Sequence, residues 1–131
     1  MGEKVVLCDT NVLINWFNCE ELTVKVLTEI GLKNILISSI TIMELVNHCG
    51  NKNELRRLNQ RIDSYDILDF NENISKLATR FFNDYKLSTN LDIPDAIIGA
   101  SAIVFNIPLF TYNDKDFKFL PGIILYAYGK N

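Results

Sequence analysis

Catalytic chemistry in this chain has to come from carboxylates. His48 is the single histidine among 131 residues, which leaves no room for imidazole triads or multi-histidine metal sites. The three cysteines, Cys8, Cys19 and Cys49, are odd in number and form no C-x-x-C pair, so they fit neither a disulfide framework nor a zinc site. Of the sixteen acids, Asp9, Glu44, Asp95, Asp114 and Asp116 fall where the chain leaves a predicted strand or begins a predicted helix. Clustered carboxylates repel one another unless a cation lies between them, and hard oxygen donors suit Mg2+ or Mn2+. Such ions complete their shells with water and substrate phosphate, so the constellation points to phosphodiester chemistry.

Each acid also has an ordinary local reading. The run Val5-Val6-Leu7-Cys8 ends at Asp9, which suits a strand buried on both faces followed by an acid at its carboxyl end. Asp9 is equally placed to cap a helix beginning near Val12. Thr41-x-x-Glu44 matches a capping box. Asp95 sits in the first turn of a helix, where an acid complements the macrodipole, and Asp92 three residues earlier suits a cap or hinge. Asn113, Asp114 and Asp116 suit a solvated turn. Location favours the joint reading: four separate segments deliver acids to one edge.

The elements that must position these residues follow from hydrophobic period. Strands are expected at residues 5–8, 35–37, 65–68, 107–110 and 123–126. Helices are expected from about 12, then over 20–30, 41–49, 53–62, 72–86 and 94–105, with Gly31 as a stop and Pro94 in a first turn. Strands separated by helical segments imply an α/β fold. The expectation is a three-layer α/β/α sandwich with a mainly parallel, roughly five-stranded central sheet, in one domain spanning 1–131. In right-handed β-α-β units the strand ends and helix starts return to the same carboxyl edge, where ligands bind.

Composition limits the alternatives. Hydrophobic residues make up 48% and charged residues 22%, the balance of a globular protein. No apolar run approaches the ~18 residues of a bilayer span, and residues 1–4 lead straight into the first strand without a signal-like stretch. A cytoplasmic location is the expectation. A net charge of −3 argues against a generally basic nucleic-acid surface, although a bound divalent cation would reverse the field at the site itself.

Four stretches in order carry a family resemblance. Leu7-Cys8-Asp9-Thr10-Asn11-Val12-Leu13-Ile14 and Ser38-Ser39-Ile40-Thr41-Ile42-Met43-Glu44-Leu45 resemble the first two motifs of PIN-domain nucleases. Ile93-Pro94-Asp95-Ala96-Ile97-Ile98-Gly99-Ala100-Ser101-Ala102 is similar to the third, and the stretch from Thr111 to Phe117 to the fourth. Their order, spacing and total length resemble a VapC-type ribonuclease toxin of a toxin–antitoxin pair. The resemblance implies metal ligands at Asp9, Glu44 and Asp95, with a further acid from Asp114 or Asp116. The chain departs from the commonest pattern at Asn113, where an Asp is frequent. Thr10 and Thr111 match positions whose hydroxyls orient a carboxylate, water or phosphate, and Asn113 is able to hold a metal-bound water.

The implied activity is hydrolysis of RNA by one or two Mg2+ or Mn2+ ions, through in-line attack of an activated water. The implied partners are an RNA substrate, a second copy of the chain in a homodimer, and a VapB-like antitoxin, with no membrane. Lys52, Arg56, Arg57 and Arg61 offer a phosphate-binding stripe or a solvated helix face. Trp16 and Phe17 offer a base-stacking surface or an ordinary packing contact. Competing readings are an RNA-processing PIN nuclease outside a toxin system and a catalytically weakened RNA- or protein-binding module, which Asn113 favours. A phospho-acceptor receiver domain would need an acid pair after the first strand, and Thr10-Asn11 stand there instead.

Overall fold

The computed structural model describes residues 4–128, so the reading of the first three residues lies outside the described part. Four strands, β1 (Val6–Cys8), β2 (Ile35–Ser38), β3 (Asp66–Leu68) and β4 (Leu109–Phe110), form one sheet in the order β3-β2-β1-β4. Every pairing is parallel. Helices α1 (Thr10–Phe17) and α2 (Glu21–Ile30) connect β1 to β2, and α3 (Ser39–Asn47) and α4 (Lys52–Ile62) connect β2 to β3. Helices α5 (Glu72–Tyr85) and α6 (Ile93–Val104) return the chain to β4.

The continuous apolar run of β1 is explained by two cores. Val6 and Cys8 pack with Leu13, Leu27, Ile37 and Phe110 on the face covered by α1, α2 and α4. Leu7 points the other way, into a core shared with Ile74, Phe81, Ile98 and Leu109 under α5 and α6. Side chains alternate across a strand, so a strand covered on both faces needs no polar position. Each large apolar side chain buried this way contributes roughly 1.5–3 kcal/mol over leaving it exposed.

Local signals set the helix ends. Gly31 stops α2 at φ 91°, a conformation that costs an L side chain dearly. Asn71 caps α5 by accepting from Ile74 N at 2.8 Å, and Asp92 caps α6 by accepting from Asp95 N at 2.9 Å. Two expectations are corrected. Helix α3 begins at Ser39 because Ser38 Oγ accepts from Ile40 N, so the Thr41–Glu44 capping box does not form and Glu44 lies in the second turn. The fifth strand at residues 123–126 shrinks to a single parallel bridge, Leu109 with Leu125. Strand β4 is only two residues long, so it has one residue left to pair once β1 has taken its other edge.

The strand order also locates the functional edge. From β1 the chain moves outward through β2 to β3, then crosses back to place β4 on the opposite side of β1. That reversal is a topological switch point, the kind of position at which open α/β sheets bind ligands beyond the carboxyl ends of their strands.

Candidate active site

Register brings the first two polar residues of the edge together. Leu7 pairs with Leu109 and Cys8 with Phe110, so the next residues out, Asp9 and Thr111, leave the sheet side by side. Asp9 N extends the ladder by donating to Phe110 O at 2.9 Å. Thr111 Oγ1 donates to Asp9 Oδ2 at 2.9 Å, while Thr10 N donates to Asp9 Oδ1 at 2.8 Å. Asp9 is therefore both the helix cap of α1 and a carboxylate held at the switch point. Thr111 is pinned in turn by Asn113 N, which donates to its hydroxyl at 3.0 Å. Asn113 thus acts here through its backbone, and its side chain is exposed.

Glu44 reaches the same place from α3. Its Oε1 accepts from Thr10 Oγ1 at 2.6 Å, and Thr10 Oγ1 also lies 3.0 Å from Thr41 Oγ1. Asp95 arrives from the start of α6, which runs back to the carboxyl edge because β4 follows it closely. Gly99 allows that helix to lie against the chain that carries Asp116: a Cβ there would meet Leu120 Cδ1 at 2.6 Å and Phe117 Cδ1 at 3.6 Å. Phe117 and Leu120, both buried, anchor the short 3-10 turn Asp114–Asp116.

Electrostatics separates the acids that converge from those that do not. The Asp95 carboxyl is pushed up to about 8, first by burial and then by Asp92, Asp9 and Asp116. Asp9 is raised by burial against the lowering effect of its two hydrogen bonds, with Glu44 and Asp92 adding to the rise. The charges shifting these groups are all carboxylates. Asp114 belongs elsewhere: it is exposed, and its charge acts on the Tyr128 phenol. Of the two acids expected from the last motif, the charge of Asp116 bears on Asp95 and that of Asp114 on Tyr128. Asp92, expected as a cap or hinge residue, does cap α6, and its charge also bears on Asp9 and Asp95. The Asp92-x-x-Asp95 spacing at a helix start was the available signal, because residues i and i+3 share a face.

The oxygen-only donor set of Asp9, Glu44, Asp95 and Asp116 suits a hard divalent cation in type and charge. Among the described residues no group of three or more His, Cys, Asp and Glu side chains is arranged to hold an ion by itself. The other candidates lie outside the cluster. Trp16 Nε1 donates to Tyr65 Oη, and Arg61 sits 4.7 Å above the Phe17 ring while donating to Phe17 O, so both aromatics are engaged within the fold. Lys52, Arg56 and Arg57 are exposed on α4. Arg57 and Arg61 line a cavity of about 340 Å3 between α1, α3 and α4, with Ile14, Leu45 and His48.

Comparison with known proteins places this geometry. Residues 6–122 match the PIN-domain family model. Ribonuclease VapC1 of Methanocaldococcus jannaschii is 30% identical over 129 residues, covering 98% of this chain and 90% of that protein. A toxin–antitoxin complex from Klebsiella pneumoniae contains a chain 30% identical, with a TM-score of 0.75 over 91% of this chain and 95% of the other. VapBC2 from Rickettsia felis, bound to a promoter DNA fragment, contains a chain 26% identical with a TM-score of 0.77, over 95% and 98% of the two chains. The sheet order, the acids at its switch point and a match running from the first strand past the last 3-10 turn agree: the chain belongs to the PIN-domain family.

Proposed function

We propose that the chain is an endoribonuclease that hydrolyses RNA phosphodiester bonds with Mg2+ or Mn2+, acting as the toxin of a toxin–antitoxin pair. The observation that carries the reading is the repulsion at Asp95, whose carboxyl is raised to about 8 by burial and by other carboxylates. A divalent cation and an anionic substrate supply the charge such a cluster lacks. RNA as substrate is supported by the ribonuclease name of the archaeal relative, and an antitoxin partner by the complexes in which the structural relatives were solved. A homodimer in the cytoplasm belongs to the same reading. Among the described residues no helix is long and apolar enough to cross a membrane.

Asp9, Glu44, Asp95 and Asp116 would hold the ion, which when bound supplies water activation and charge neutralisation at the scissile phosphate. The chain's own part is orientation and charge. Thr10 N and Thr111 Oγ1 each occupy one oxygen of Asp9, which sets the plane of the carboxylate and leaves a lone pair on each oxygen. Thr10 Oγ1 donates to Glu44 Oε1, and Oε2 would remain to ligate an ion. Asp95, raised by burial and then by Asp92, Asp9 and Asp116, would be favoured in its ionised form by a bound cation.

Cleavage of a mixed RNA substrate in Mn2+ tests the reading. Asp9→Asn and Asp95→Asn are each expected to lose more than about 100-fold in rate, beyond the 10- to 100-fold typical of groups that only support a ligand. Wild-type cleavage that persists in EDTA, or variants that cleave as fast as wild type, would overturn it.

A further inference from the structure

We infer that Tyr112 is a positioning residue for the site, fixing the Thr111 hydroxyl, and through it the Asp9 carboxylate, by a hydrogen bond to Thr23 on α2. The inference rests on the metal-dependent nuclease reading and deepens it. Thr111 Oγ1 donates to Asp9 Oδ2 at 2.9 Å and accepts from Asn113 N at 3.0 Å. Tyr112 is the residue between the two that make those bonds. The β1–β4 ladder ends where Asp9 N donates to Phe110 O. Beyond that rung, among the described residues, no backbone–backbone hydrogen bond holds Thr111 or Tyr112. Side chains must therefore set where this stretch lies.

Tyr112 is held both by its ring and by its oxygen. The ring meets Phe110 edge-on with centroids 5.3 Å apart, and Tyr128 edge-on with centroids 5.0 Å apart. The phenol oxygen is hydrogen-bonded to Oγ1 of Thr23, a fully buried residue. Thr23 Oγ1 in turn donates to Glu20 Oε1 at 2.6 Å. A hydroxyl has one proton to give, and that of Thr23 goes to Glu20, so the phenol is the donor to Thr23. Glu20 is itself fixed as the cap of α2, accepting from Thr23 N at 2.9 Å and Leu22 N at 3.2 Å. The chain of bonds from Tyr112 through Thr23 thus ends on a charged acceptor held by the helix, and each hydroxyl polarises the next.

Packing alone does not call for a tyrosine at this position. Tyr126 and Tyr128 also set their rings against Phe110, at 5.6 and 5.1 Å, and a phenylalanine at 112 would keep the same kind of contact. Ring contacts are non-directional and tolerate small slides. The hydrogen bond to Thr23 adds a directional tie to an element 89 residues away in the chain. It fixes the reach of the Tyr112 side chain, and so the backbone that carries Thr111 to Asp9.

Tyr112→Phe and Thr23→Val remove the two sides of this bond. Mn2+ binding by calorimetry, RNA cleavage by kcat and KM, and melting temperature are the readouts. Each variant is expected to bind Mn2+ roughly 3- to 10-fold more weakly, the scale of one lost hydrogen bond. Its kcat should fall comparably while KM for RNA hardly moves. In a Thr111→Val background, Tyr112→Phe should cost no further Mn2+ affinity, because the group it acts through is gone, yet it should still lower the melting temperature. Should Thr23→Val fail to fold, Tyr112→Phe alone and combined with Thr111→Val carries the test. Wild-type Mn2+ affinity in folded Tyr112→Phe, or affinity losses at positions 111 and 112 that add, would each overturn the inference. A wild-type protein that binds no Mn2+ would instead overturn the nuclease reading, and the positioning role with it.

Discussion

Asp9 and Glu44 meet hydroxyls and an amide at the carboxyl edge, whereas Asp95 meets mainly other acids. Both oxygens of Asp9 and one of Glu44 accept hydrogen bonds from Thr10 and Thr111. Asp95 is instead raised by burial and then by Asp92, Asp9 and Asp116. One half of the edge is organised by neutral donors before any ligand arrives. The other half is a store of repulsion that a cation would release. Preorganisation and binding energy are thus placed on different elements, with α1, β4 and α3 supplying the first and α6 with the 3-10 turn the second.

The sharpest test of that contrast is the metal response. Mn2+ at 100 times its dissociation constant is expected to stabilise the wild-type fold by about 2.7 kcal/mol, read as a rise in melting temperature. Asp95→Asn should lose that response, since it would remove a proposed ligand from the repulsive half.

Without metal the two halves should respond oppositely to losing an acid. Asp9→Ala leaves Thr10 N and the Thr111 hydroxyl without their acceptor in a buried site, and is expected to cost about 1–2 kcal/mol. Asp95→Asn removes repulsion and should raise the metal-free melting temperature by a few degrees. Equal destabilisation in denaturant titrations of both variants would erase the distinction.

Acidity gives a smaller, graded effect. Asp95 is raised in the folded protein from its ordinary 3.8 to about 8, and Asp9 is raised as well. Between those values the folded chain holds more protons than the unfolded one, so metal-free stability falls as pH rises. The contribution is complete below about pH 4 and gone above about pH 8. Mn2+ binding displaces the same protons, so its affinity should climb over that window. Melting curves with and without Mn2+ at pH 6 and pH 8 check both slopes.

The smallest effect separates the two acids of the last turn. Asp114→Asn should leave Mn2+ affinity and RNA cleavage within about twofold of wild type, because its charge faces Tyr128. Asp116→Asn should weaken Mn2+ binding by about tenfold, because its charge reaches Asp95. The reverse ranking would move Asp114 into the site.

Much of this architecture was legible in the chain because it depends on local pattern. The both-sided burial of β1 follows from the run Val5-Val6-Leu7-Cys8, and the helical spacing of Ile74, Leu77, Phe81 and Tyr85 marks α5. The edge positions of Asp9 and Asp95 follow from strand–helix alternation. Other features escaped for physical reasons. Thr41-x-x-Glu44 is a sound capping box in isolation, but Ser38 lies closer to the strand end and takes the cap. Residues 123–126 have strand character, yet pairing needs a partner and β4 offers one residue.

By itself the sequence determined the order of strands and helices and which segments bring acids to the carboxyl edge, because apolar period and turn chemistry are local. Tertiary structure alone decided which of those acids meet and what holds them. The β1–β4 register puts Thr111 beside Asp9, the packing of α3 on α1 joins Thr41, Thr10 and Glu44, and the anchored Phe117 turn brings in Asp116 rather than Asp114. The hydrogen bonds among them that cross elements span 31 to 102 residues of chain, a separation over which no local pattern carries information.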